Sequence, residues 1–238
     1  MSEAALRLIA GDTPVERLAS LRAAVPGRIV FTTSFGIEDQ ALTHMIFSRG
    51  LDIEVVTLDT GRLFPSTYTL WQETEERYGR RIRSYHPDAR ALAAYVADAG
   101  INGFYHSKAA RQDCCNIRKV EPLDRALEDA AAWVTGLRAD QSGQRGGVAL
   151  ASLERDLVKV SPLFDWTRQQ VAYFCEIQQV PVNPLHGKGF PSIGCEPCTR
   201  AVARGEPERA GRWWWESDQA RECGLHVDDA GRLVRSAA

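Results

Sequence analysis

The sequence predicts a doubly wound α/β domain, a mainly parallel sheet covered by helices on both faces, and three observations predict it. Strand-like and helix-like segments alternate from about residue 28 onward, the pattern of parallel strands joined by helical crossovers. Three of the strand ends run into loops of the kind that hold ligands in such sheets. The 238-residue chain, with ordinary apolar (44%) and charged (25%) fractions, can bury a sizeable core without disulfide staples.

The elements follow in order. "RIVFTTSF" (28–35) is rich in β-branched and aromatic residues and ends in a glycine turn. "EDQALTHMIFSRG" (38–50) places Ala41, Leu42, Met45 and Ile46 on one helical face and stops at Gly50. "DIEVVTLDTG" (52–61) is a second strand running into a glycine loop, and Pro65 suits the first turn of the helix that follows. "RRIRSYHP" (80–87) reads as a third strand and "DARALAAYVADAG" (88–100) as a third helix. "AAWVTGLRADQ" (131–141) and "DLVKVSPLFDW" (156–166) are later strands, and Thr167 with Gln170 has the spacing of a capping box. After about residue 187 the periodicity gives way to glycine, proline, cysteine and arginine, as expected of a site built on a scaffold.

A formal net charge of −2 argues against non-specific binding to nucleic acid or to an anionic membrane, so any anion must be held by a local basic cluster. The start "MSEAALRLIAGDTP" has no charged-then-apolar signal pattern, and no apolar run is long enough to span a bilayer. The expectation is a cytoplasmic protein. There, six cysteines read as metal ligands, catalysts or core residues.

Three loops are placed to hold a nucleotide. "TTSFGIED" (32–39) offers hydroxyls and backbone N–H groups at a helix start, through Ser34, Phe35 and Gly36. It lacks the glycines and lysine of a Walker loop. "LDTG", Leu58, Asp59, Thr60 and Gly61, follows the second strand and can reach a ribose or base. "TGLRADQS" (135–142) carries Arg138, a candidate anion clamp.

The cysteines fall in two pairs, a buried singleton and a tail residue. Cys114 and Cys115 are adjacent, and Cys195 and Cys198 have the spacing of a metal-binding knuckle. Four thiolates suit a structural zinc ion or an iron–sulfur cluster. Adjacent side chains on a helix point about 100° apart, which is awkward for a single ion and easier for a cluster with separate corners. Asp113 is expected to cap a short helix ending before Pro122, with Lys119 one turn beyond Cys115, where its charge offsets that of a thiolate-ligated group. Cys175, in "VAYFCEIQ", has apolar neighbours at helical spacing and reads as core. Cys223, in "ECGLH" (222–226), has neither a metal-type partner nor an apolar neighbourhood. Before it, "TRAVARGEPERAGRWWWE" (199–216) carries Arg209 and Arg212 three apart on a turn after Pro207, forks suited to phosphate or sulfate oxygens. A thiol beside such cations loses its proton more easily and becomes a nucleophile.

"SFGIED", "LDTG", "CCNIRKVEPL", "TGLRADQS", "VSPLFDWT", "GCEPCTR" and "ECGLH" occur in this order over residues 28–226, and together they resemble the assimilatory sulfonucleotide reductases. The resemblance implies an adenine-nucleotide α-hydrolase-like fold and, because both cysteine pairs are present, the bacterial adenylyl-sulfate (APS) type with one 4Fe–4S cluster. It makes Cys114, Cys115, Cys195 and Cys198 the cluster ligands and Cys223 the nucleophile that forms an S-sulfocysteine and releases AMP. Lys119, Arg138, Arg209 and Arg212 match residues that hold the phosphosulfate, and His226 matches the final histidine of the tail motif. It further implies a nucleotide-binding domain over 1–215, a mobile tail over 216–238, and thioredoxin or a glutaredoxin-like protein as a separate electron donor. A homo-oligomer is compatible with it. The nearest rival is a phosphoadenylyl-sulfate (PAPS) or dual-specificity reductase. A zinc-containing nucleotide hydrolase and a non-catalytic nucleotide sensor are more distant ones.

Overall fold

The computed structural model describes residues 6–141, 145–154 and 157–216. Helix α1 (Pro14–Ala24) starts at a capping box in which the Thr13 side chain accepts from Glu16 N and Glu16 reaches back to the Thr13 backbone. Strand β1 (Arg28–Thr33), α2 (Ile37–Ser48), β2 (Glu54–Leu58), α3 (Pro65–Tyr78), β3 (Arg83–Tyr85) and α4 (Ala89–Ala99) then alternate. Helices α5 (Lys108–Cys115) and α6 (Glu121–Leu127) lead to β4 (Ala130–Val134), the pair β5 (Ala151–Glu154) and β6 (Leu157–Val160), and α7 (Arg168–Ile177).

The sheet order is β3-β2-β1-β4-β6-β5. Every pairing is parallel except β5 with β6. Alternation along the strands fills two cores. Ile29, Phe31, Ala132 and Val134 face one side with residues of α1, α2 and α7, whereas Val30, Val56 and Trp133 face the other with Leu123, Ala126 and Leu127 of α6. Helices on both faces of a mostly parallel sheet are what the alternating sequence implies. Ala41, Leu42, Met45 and Ile46 are all buried, and the Thr167–Gln170 capping box forms.

One strand escapes the sequence reading and one expectation changes. The edge strand β5 is antiparallel and continues the sheet beyond β6; its four residues, half of them Ala and Ser, carry too weak a strand pattern to be read locally. Asp113 does not cap a helix. Ser107 caps α5 by accepting from Ala110 N, and the helical path continues beyond Cys115 through a π-turn, Asn116–Val120, into α6. In that wider turn Glu121 N reaches back to Asn116 O, and Pro122, which has no N–H, follows where the ladder changes pitch.

The chain leaves β1 for β2 and β3 on one side, then crosses to β4 on the other. The carboxyl ends of β1 and β4 therefore flank a topological switch point, the place where open α/β sheets bind ligands.

Candidate active site

A cavity opens at this switch point. Ser34 and Gly36 after β1, Leu58 at the end of β2, and Thr135 and Gly136 after β4 line it. The β1 loop is drawn tight because the Asp39 carboxylate accepts from Ser34 N (2.6 Å) and Ser34 Oγ (2.7 Å). A Cβ at position 136 would lie 2.2 Å from Asp39 Oδ1, so only glycine lets the β4 loop pack against the start of α2. Burial raises the Asp39 carboxyl to about 6, against the opposing pull of the Ser34 hydrogen bonds.

Lys119, Arg145, Arg209 and Arg212 bring positive charge to the same cavity. The turn after Pro207 forms, with Arg212 N donating to Arg209 O at 3.0 Å. Thr199 and Arg212 make an antiparallel bridge, with Arg200 N on Gly211 O at 3.0 Å. At Gly211 a Cβ would meet Arg200 O at 2.2 Å, so this close strap, which seats Arg212 and Trp213 beside the second cysteine pair, requires glycine.

The sequence-derived nucleotide loops divide among different surroundings. Ser34, Gly36 and Leu58 face the cavity. Phe35 takes a left-handed backbone (φ 59°) and is buried against Trp71, ring centroids 5.6 Å apart, so its side chain anchors the loop in the core. Asp59 accepts from Gly61 N and Tyr68 Oη, both at 2.8 Å. Thr60 turns to the cysteines, its hydroxyl 3.2 Å from Cys195 Sγ. Arg138 is fully buried and donates to Glu38 (2.8 and 2.9 Å) and Glu208 (3.1 Å), and it does not line the cavity.

A second cavity adjoins the first. Cys114 and Cys115 of α5 and Cys195 and Cys198 of the loop all line it, together with Arg118 and Lys119. Lys119 thus borders both cavities. Trp213 lines the first cavity and packs with Cys195 and Cys198, and the guanidinium carbons of Arg111 and Arg212 each lie 4.6 Å from its ring centroid. Burial acts to raise the Cys195 thiol, but Lys119, the Thr60 hydroxyl, Arg212 and Arg118 outweigh it and hold the thiol below its ordinary value. Burial pushes Cys114 upward, and burial with the neighbouring Cys195 pushes Cys198 up to about 12.

Among the described residues no three His, Cys, Asp or Glu side chains approach closely enough to hold one metal ion. A single ion with sulfur at about 2.3 Å needs such a tight set; a cluster with separate corners accepts wider spacing. Arg118 Nε and Trp213 Nε1 are buried donors without a hydrogen-bond partner among the described residues. Four thiols around one cavity, with unmatched donors beside them, fit an acceptor-rich iron–sulfur cluster better than one ion. Cys175 is core, as its neighbours indicated, 3% exposed with its thiol pushed up to about 12 by burial. Cys223 and His226 lie outside the described residues. Arg145 and Glu208 also line the first cavity, and nothing local in the sequence singles them out.

A mostly parallel α/β sheet with a cation-lined cavity at its switch point and a thiol-lined cavity beside it defines the class of protein. The chain belongs to the family described as the phosphoadenosine phosphosulfate reductase domain, which matches residues 28–201. It is 57% identical over 220 residues to an adenosine 5′-phosphosulfate reductase of Sinorhizobium fredii (strain USDA 257), covering 92% of this chain and 87% of that one. It is 51% identical over 200 residues to the protein of the same name from Allochromatium vinosum, covering 83% and 78%. Among solved structures, a PAPS reductase from Candida auris in a phosphate complex superposes with a TM-score of 0.70 at 23% identity, covering 85% of this chain and 98% of that one. Yeast FAD synthetase superposes at 0.53 and 18% identity, covering 84% and 66%. Both share the fold.

Proposed function

We propose that this protein is an adenylyl-sulfate reductase of assimilatory sulfate reduction, converting APS to sulfite and AMP. One observation carries the reading: Lys119 borders both the anion cavity at the switch point and the cavity ringed by four cysteines. The names of the relatives at 51–57% identity agree with it.

In this reading the nucleotide lies against Ser34, Gly36 and Leu58, and Lys119, Arg209 and Arg212 hold the phosphosulfate, all of them lining the one cavity. The Cys223 thiolate, carried by the segment 216–238 to the domain formed by 1–215, attacks the sulfate sulfur. An S–S bond forms, the S–O bond to AMP breaks, and the arginines neutralise the charge developing on the leaving phosphate. His226 tunes or docks that thiolate. Reduced thioredoxin, or a glutaredoxin-like dithiol, attacks Cys223 Sγ and expels sulfite. Its second thiol then resolves the mixed disulfide, so the donor leaves oxidised and Cys223 is again a thiol. Cys114, Cys115, Cys195 and Cys198 would hold a 4Fe–4S cluster, which would supply a fixed charge and no electrons to the cavity that Lys119 borders. Among the described residues no helix is long and apolar enough to cross a membrane, in keeping with a cytoplasmic enzyme.

The test is the intact mass of anaerobic, iron-replete protein mixed with APS or PAPS and no reductant. A sulfonate adduct from APS, absent in Cys223→Ser, is expected. An adduct from PAPS alone would move the substrate assignment to PAPS. No adduct from either would overturn the reductase reading.

A further inference from the structure

Among the charged side chains lining the cavity, Glu208 is unlike the rest. It follows Pro207 and precedes Arg209 on the arginine-bearing turn, and it faces the cavity. Its carboxylate spans two guanidinium groups that do not line the cavity. Both oxygens lie 3.1 Å from Arg138 Nη2, and Oε1 also accepts from Arg168 Nη1 at 3.2 Å. Arg138 is also held by Glu38, which lines the cavity too, and by Asp140, and Arg168 Nη1 also donates to Pro191 O at 2.9 Å. The Glu208 carboxylate therefore lies between the cavity and Arg168, and together with Glu38 it covers Arg138.

Resting on the sulfonucleotide reading above, we infer that Glu208 sets how much negative charge the cavity accepts and so selects between nucleotides with and without an extra phosphate. The cavity lining carries Lys119, Arg145, Arg209 and Arg212 against Glu38, Asp39 and Glu208, one more cation than anions. That balance suits a nucleotide whose only anionic group is a phosphosulfate. A further phosphomonoester adds a charge of roughly −1.5 to −2 near neutral pH to a cavity whose lining already presents the Glu208 carboxylate. Like charges a few ångströms apart inside a partly desolvated cavity interact strongly. Replacing Glu208 by the isosteric glutamine removes the repulsion and takes from Arg168 its carboxylate partner, while Arg138 stays paired with Glu38 and Asp140.

The experiment is calorimetric titration of the full chain with AMP and with adenosine 3′,5′-bisphosphate. Wild type is expected to bind the bisphosphate no more tightly than AMP. Glu208→Gln is expected to raise the bisphosphate-to-AMP affinity ratio at least about tenfold. Glu208→Asp, which keeps the charge, is expected to keep the wild-type preference. A Glu208→Gln ratio within about twofold of wild type would overturn the inference, as would loss of the preference in Glu208→Asp. So would wild type that prefers the bisphosphate, a measurement that stands even if a variant fails to fold. Wild type that binds neither nucleotide would instead overturn the sulfonucleotide reading itself.

Discussion

The Arg111 guanidinium grips the Glu216 carboxylate from inside the protein, Nε to Oε1 at 2.8 Å and Nη2 to Oε2 at 3.0 Å, with both side chains buried. Arg111 lies on the helix that carries Cys114 and Cys115, and Glu216 stands seven positions before Cys223 in the sequence. The pair therefore ties the thiol-bearing helix to the start of the C-terminal segment. Removing one partner of such a pair leaves a buried charge uncompensated, a loss of about 3–5 kcal/mol. Glu216→Gln is expected to lower unfolding free energy in urea by that order, and Arg111→Met/Glu216→Leu by much less. Equal losses in both would show that the charges are not coupled.

Asp39 makes stability depend on pH. Its folded value of about 6 lies above the ordinary 3.8, so between those values the folded chain binds more protons than the unfolded one. The contribution is fully present below about 3.8 and is lost as pH rises through 6. Two units correspond to about 3 kcal/mol. Asp39→Asn is expected to flatten that part of the stability profile and to be relatively more stable above pH 7, as thermal melts across pH 4 to 8 would reveal. An unchanged slope would assign the proton to another group.

Lys119 borders both cavities. Lys119→Gln is expected to slow formation of the Cys223 sulfonate adduct about 10²- to 10³-fold, the usual loss for a charge-stabilising donor, and to weaken AMP binding. A variant with wild-type adduct rate would remove Lys119 from the site.

The cysteine cavity predicts its own contents. Anaerobically purified protein is expected to carry iron and acid-labile sulfide, and Cys195→Ser or Cys114→Ser to lose both and melt at a lower temperature, since metal binding is linked to folding. Zinc in place of iron, retained without sulfide, would revive the structural-zinc alternative.

The order of strands and helices was legible because helix and strand periods are local. Ala41, Leu42, Met45 and Ile46 needed no distant partner to declare a buried face, and Thr167 with Gln170 declared a helix start. The path around Pro122 was not legible in this way. A proline ordinarily ends a helix, and only a wider π-turn, stabilised by packing on both sides, carries the chain through it.

The site divides along the same line. By itself the sequence determined which chemistry was present: two cysteine pairs, a lysine one turn beyond the first, arginines three apart, and polar loops after strands. Only the tertiary structure decided how these residues are shared out. It turned Thr60 toward Cys195 rather than the switch-point cavity, sank Phe35 into the core, and closed Arg138 against Glu208, 70 positions away. The reason is physical. Residue type and periodicity fix what a short segment can do, whereas which cavity a side chain enters depends on partners brought together by the crossing from β3 to β4 on the far side of β1.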